Sequence, residues 1–344
     1  MPTPPDEAKW VRLNSHMRAY STRQHLLVTN RGPREEGYTY CTICGLIEPT
    51  ALRNGIVSAD HQKPFPDQNE PKCHGGGATR GLVLGTDFIS DVLLISFNID
   101  APLTLLPGLL ATHVALRTIS EALTKAACLR LELEANELQA EYRPALTQAG
   151  REGREAEIFL YDTLPGGAGF AQRVGQLGPA VFQRALDILQ KCPAECDRSC
   201  YRCLRSYRNK FEHDLLDRHV GASLLRFILD GGVPAVSPDR LDRSTELLFR
   251  DLERQNVTGL KLARNAPVSI PGLPIAVAPI LATTPSDRKV VIGLHGPLTP
   301  GTLDNPELMR LKEFPSAVSV ETIDELVVRR NLPAATDLLL KKLT

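Results

Sequence analysis

The chain has 344 residues, enough for two domains or for one large domain with an appendage. Its 42% hydrophobic content and mixed charge are those of a soluble globular protein. Forty lysines and arginines balance forty aspartates and glutamates, which excludes a globally basic nucleic-acid binder and leaves only a local patch for such a partner.

In chain order, "QHLLVTN" reads as a strand and "RGPREEG" as a polar turn before "YTYCTIC". An irregular Pro/Gly/His-rich stretch follows from about Asn54 to Arg80, with little to bury, so something other than a core must order it. "SDVLLISFNI" predicts a buried strand, and "GLLATHVALRTISEALTKAA" has the apolar spacing of a helix. "CLRLELE" and "ELQAEYRP" alternate like paired strands, which places Cys128 in a strand core, and "EAEIFLYDT" predicts another strand. A glycine turn, "LPGGAGF", leads into the helical "PAVFQRALDILQKC". "HDLLDRHVGASLLRFILDGG" predicts a helix stopped by its two glycines. Beyond Gly232 to Ser237 the texture changes to a helix near Arg243 to Gln255, proline-broken apolar pieces, the strand "RKVVIGLHG" and a final helix at "AATDLLLKKL". These elements predict an α/β (α+β) fold, with a mixed sheet, packed helices and loops ordered by something other than a core, followed by a small C-terminal α/β segment.

No window approaches the roughly 18 uninterrupted apolar residues of a membrane span, and no basic region precedes an apolar run at the start. A cytoplasmic protein without a membrane partner is expected, and there clustered cysteines point to metal rather than disulfides. Cys192, Cys196, Cys200 and Cys203 form one such cluster. On a straight helix their sulfurs would spread over roughly 16 Å, too far for one ion, so the segment must fold back on itself. The residues between them are charged or polar and make a poor core, which favours structural zinc. "CTIC" supplies Cys41 and Cys44, Cys73 makes a third vertex, and His61 or His74 a fourth.

Three further features carry weaker signals. Gly166, Gly167 and Gly169 form a tight turn, or less readily a phosphate cradle, since neither a dinucleotide fingerprint nor a Walker lysine accompanies them. Arg198, Arg202, Arg205, Arg208 and Lys210 alternate with Tyr201 and Tyr207. Such cations either meet a nucleic-acid backbone or offset the charge of a four-thiolate zinc. Glu134, Asp162, Asp217 and Asp287 stand without spaced partners, so capping or solvated roles are expected. A metal-dependent nuclease using Asp162 and Asp217, or an adaptor that never touches DNA, are the rival readings.

Taken together, "LYDTLPGGAGF", "SCYRCLRSYRN" and "HDLLDRHVGASLL" resemble the MrfA-type zinc-binding (MZB) domain, a family found at the C-terminus of superfamily 2 DNA helicases and in a subunit of the DISARM anti-phage system. "CTICGLIEP", "HQKPFP", "CHGG" and "LGTDFISDVLLISF" resemble the amino-terminal part of the same module. The resemblance spans roughly Tyr38 to Leu229 and implies a lead-in at 1–37, a zinc-binding domain at 38–231 and a C-terminal domain of unknown role at 232–344. It implies zinc at one or two structural sites, on Cys192, Cys196, Cys200 and Cys203, and on Cys41, Cys44, His61 and Cys73, with His61 preferred over His74. Thr86 stands where many relatives have a histidine, so that position is no ligand here. Helicase motor motifs are absent. The implied role is a non-catalytic accessory to a DNA helicase or translocase in phage defence or DNA repair, with DNA met by Arg202, Arg205, Arg208 and Lys210.

Overall fold

The structure, a computed structural model, describes residues 9–51, 60–66, 70–144, 153–270, 272, 274–315 and 317–343. Parts of the stretch expected to be irregular, 54–59 and 67–69, lie outside the described residues, as do the first eight positions. In chain order the elements are β1 (Val11–Arg12), β2 (Met17–Asn30), β3 (Tyr38–Cys41), β4 (Ile47–Pro49), β5 (His61–Gln62), β6 (Lys72–Cys73), β7 (Ala78–Leu82), β8 (Leu84–Asn98), α1 (Leu110–Leu131), β9 (Leu138–Pro144), β10 (Glu155–Asp162), α2 (Phe170–Leu177), α3 (Pro179–Gln190) and α4 (Arg218–Asp230). They continue with α5 (Pro238–Arg254), β11 (Lys261–Val268), β12 (Ala276–Thr283), β13 (Lys289–His295), α6 (Pro306–Leu311), β14 (Ser319–Asp324), α7 (Glu325–Arg330) and α8 (Leu332–Leu343).

The fold is α/β in the α+β sense. An antiparallel five-stranded sheet runs in the order β1-β2-β8-β10-β9, with β8 at its centre. The apolar run Val92 to Ile95, with Phe97, is buried because this part of β8 has strands on both edges and helices against the sheet. Alternate β10 residues Ala156, Ile158 and Leu160 join Leu93, Ile95 and Phe97 in the core. Helix α1 is buried nearly all round, with Ala115, Ile119, Leu123 and Ala126 in the core, because α3, α4 and β9 all pack on it. Phe97 meets Phe182 of α3 edge-on at 6.5 Å between ring centres.

A second sheet, β11-β12-β13-β14, lies wholly in the C-terminal third; only its β13–β14 pair is parallel. Leu248, Leu252 and Leu339, from α5 and α8, cover one side. Leu308 and Leu311 of α6 belong to a separate apolar cluster with Ala276, Ala278 and Val291.

The structure departs from the expected elements in three places. Cys128 lies in a helix: α1 runs on through "CLRL", keeps Cys128 buried, and ends at Glu132, whose φ of 56° is left-handed. Helix α4 begins only at Arg218, after a 3-10 turn over Lys210–Leu215. Between the glycine turn and α3 stands the separate α2. Residues 17–30 form β2, which pairs along its full length with β8.

From Asp91 to Leu84, β8 pairs only with β2 among the described residues, so the two strands leave the sheet as a two-stranded arm that runs from Arg23 and Asp91 to Asn30 and Leu84. Its eight residue pairs extend about 23 Å at 3.3 Å per residue. Strands β3 to β7 sit at its end.

Candidate metal centres

The first centre follows directly from the end of α3. Cys192 comes just after the helix; Glu195, at a φ of 45°, turns the chain, and Cys196 returns beside Cys192. A second turn is tied by the N–H groups of Cys203, Leu204 and Arg205, which all donate to the carbonyl of Cys200. The four Sγ atoms lie within 4.8 Å of one another. Cys192 and Cys200 are 3.6 Å apart, Cys196 and Cys203 3.6 Å, and Cys200 and Cys203 3.7 Å. A regular tetrahedron with zinc–sulfur bonds of about 2.3 Å has edges of about 3.8 Å, so this donor set fits zinc.

The electrostatics agree with that fit. Burial raises the Cys192 thiol, but the N–H groups of Cys196 and Ala194 outweigh it and bring the group down to about 6. Burial pushes Cys196 and Cys203 up. Four thiolates this close repel one another, and a cation among them lets all ionise together.

Two cations brace the loop through backbone. Lys125 of α1 donates to the carbonyls of Cys203 and Arg202, and Arg218 of α4 donates to those of Cys196, Leu189 and Gln190. Neither is signalled by the local sequence, because both arrive from helices that only the fold brings near. The interleaved cations stand otherwise. Arg205 is half-buried and donates to Ser199 Oγ, and exposed Arg208 donates to the carbonyl of Ala135. Arg202 is exposed; Lys210 Nζ sits 4.1 Å from the Tyr207 ring centre and 4.9 Å from that of Phe211. Tyr201, Tyr207 and Phe211 are 67%, 77% and 89% exposed, unusual for aromatic side chains in a protein with a formed core. The segment is held beneath by buried Asn209, which donates to Glu121, and by Glu212, 2.8 Å from buried Arg117.

The second centre is built from two hairpins at the end of the arm. In the β3–β4 turn, Cys41 accepts from Gly45 N–H and donates to the Leu46 carbonyl, which sets Cys41 and Cys44 together. In the β5–β6 pair His61 stands directly opposite Cys73. Cys41 and Cys73 Sγ are 3.8 Å apart, His61 Nε2 is 3.1 Å from Cys44 Sγ, and all four donor atoms lie within 4.8 Å. Burial raises Cys41, but the N–H groups of Cys44 and Ile43 bring it down to about 6. His74 is outside the group, exposed, with Nδ1 3.5 Å from an Asp60 carboxylate oxygen. Among the described residues the apolar cluster at this site consists of Cys41 and Cys73 with Cys44 and Leu46 against them, too little to hold the hairpins by burial alone.

The glycine loop carries no phosphate cradle. Buried Asp162 fills it, accepting from the N–H groups of Ala168, Phe170 and Ala171, while Gly169 N–H donates to Asp91. Gly167 is required there: at a φ of 73°, a Cβ would lie 2.2 Å from Asp91 Oδ2. Asp217 caps α4 by accepting from His219 and Val220 N–H. Both carboxylates are thus structural, and they do not form a metal-binding pair among the described residues.

Residues 119–204 match the family model of the MrfA Zn-binding domain, a span that contains the four-cysteine centre and leaves out the second. Druantia protein DruE of Escherichia coli (strain UMEA 4076-1) is 29% identical over 350 residues, 97% of this chain. The chain spans only 18% of the length of that relative. A crystal structure of the helicase MrfA bound to DNA overlaps 63% of this chain and 23% of its own, at 14% identity and a TM-score of 0.35, too loosely to carry an argument. The two Cys/His clusters fit one or two zinc sites, and the stretch 119–204 is similar to the MrfA-type zinc-binding (MZB) domain.

Proposed function

We propose that this chain is a zinc-stabilised module that serves a DNA helicase or translocase in phage defence or DNA repair, without chemistry of its own. The observation that carries this reading is the pair of compact four-donor clusters in a chain alignable over 97% of its length with DruE. One zinc belongs to Cys192, Cys196, Cys200 and Cys203, the other to Cys41, Cys44, His61 and Cys73. Four protein donors leave no open position for water or substrate, so both ions are structural. The lead-in at 1–37, the zinc-binding domain at 38–231 and the C-terminal domain at 232–344 divide the chain in this reading, and a reducing cytoplasm suits its thiols.

DNA contact falls to the surface of the four-cysteine loop. Arg202, Arg208 and Lys210 offer charge to phosphates, with half-buried Arg205 behind them, and the exposed rings of Tyr201, Tyr207 and Phe211 offer faces to bases. The test combines metal analysis of the purified protein, capture of a co-expressed helicase encoded beside it, and DNA binding as a function of salt. Two zinc ions per chain, helicase capture and binding that weakens with salt and on Arg202→Ala support the reading. Protein without stoichiometric metal would overturn it, and helicase capture without DNA binding would leave an adaptor.

A further inference from the structure

A cleft of about 510 Å³ lies between α3, α4, the start of α5 and the turn after β13. Its floor is apolar, with Leu189, Val220, Ala222 and Leu298, and its charged groups are Arg218, Arg226 and Arg240 against Glu325. Arg218 and Arg226 lie on one face of α4 at positions i and i+8, with Ala222 between them. Arg218 commits Nε and Nη1 to backbone carbonyls, which leaves its charge unneutralised by them. Arg226 is exposed.

Two features point to an anionic occupant. Ser237 and Arg240 of the cleft wall belong to the amino-terminal end of α5, a 17-residue helix whose Ser237 cap makes no side-chain capping bond. Arg240 is more than nine-tenths buried; Nε and Nη2 are taken by the Glu325 carboxylate, and Nη1 has no hydrogen-bond partner. The carboxylate in the wall, Glu325, is paired with Arg240 and accepts from Ser244 Oγ, and Asp217 Oδ2 lies 3.6 Å from Arg240 behind it. The surroundings are electropositive at His219: desolvation, then Arg218 and Arg240, push its imidazole down to about 4.

We propose that this cleft binds a phosphate group between Arg218, Arg226 and the amino-terminal end of α5, with the apolar floor receiving the moiety that carries it. A mononucleotide and the 5′-phosphate of a strand present this same chemistry. The site is separate from the exposed surface of the four-cysteine loop, so it stands or falls independently of DNA contact there.

The experiment is calorimetric titration of the full zinc-loaded chain with inorganic phosphate, AMP, and a short oligonucleotide with and without a 5′-phosphate. Saturable binding of a phosphate-bearing probe is expected, weakened about tenfold by Arg226→Ala, which removes one charge-assisted contact at an exposed position. Ala222→Leu should block it by filling the floor, with thermal melts confirming that both variants fold. AMP binding with no preference between oligonucleotides identifies a free nucleotide, whereas a preference for the 5′-phosphorylated oligonucleotide identifies a strand end. Absence of binding by every probe at millimolar concentration, or binding unchanged in both variants, overturns the proposal.

Discussion

Cys200 is the pivot of the four-cysteine loop: its sulfur meets two others, and its carbonyl gathers three N–H groups. Cys200→Ser should lose the zinc of that centre while the His61 centre keeps its own, measured as a drop from two ions per chain to one. Structural zinc contributes about 10–16 kcal/mol in small zinc peptides, so the loss should lower the melting temperature more than most core truncations. Asp162 makes a second case, because three N–H groups, that of Ala171 fully buried, converge on its buried carboxylate. Asp162→Ala should destabilise the chain by about 2–5 kcal/mol in urea unfolding, since several donors are left unpaired. The clustering of the four thiols was legible in the sequence because they are local and their intervening residues are unfit for a core. The positions of Lys125 and Arg218 were not, because contacts between distant helices leave no local pattern. The arginines of the loop drew attention to themselves, yet the cations on its ligand carbonyls come from α1 and α4.

At the scale of elements, α1 and α4 cross closely because Gly221 is a glycine. A Cβ there would lie 2.4 Å from Thr118 Cγ2 and 3.0 Å from Thr118 Cβ. Alanine is the better helix former by about 1 kcal/mol, but overpacking costs about 1–3 kcal/mol. Gly221→Ala should therefore be net destabilising, and Thr118→Ser in the same chain should recover part of the loss by removing the clashing methyl. Thermal melts of the single and double variants measure this. Strand positions were mostly legible, since β8, β10 and β13 are apolar runs of strand length. The end of α1 was not: "CLRLELE" alternates like a strand, but the packing of α3 and α4 carries the helix four residues past Ala127. Helix α2 was hidden because a glycine turn masks where a short helix begins.

Across the whole molecule, the four-cysteine loop also touches the C-terminal part of the chain. Arg329 of α7 pairs with Asp197, and Arg330 donates to the carbonyl of Asp214. Deeper in, the buried Arg240–Glu325 pair joins the starts of α5 and α7, with Asp217 of the α4 cap 3.6 Å away. Glu325→Ala would leave Arg240 buried without its main counter-charge, and a loss of about 3–5 kcal/mol in urea unfolding is expected. None of this was legible, because Arg240 and Glu325 are 85 positions apart and each reads as an ordinary surface charge. The arm formed by β2 and β8 has a different consequence. Among the described residues its end holds almost no apolar core, while the sheet at its base is fully packed. In the proposed reading, metal at His61 should govern how far the molecule can reach rather than whether it folds. Emptying that centre alone, as by His61→Ala, should leave the helical circular dichroism largely intact yet open the segment between β2 and β8 to protease, turning a rigid lever into a loose tether.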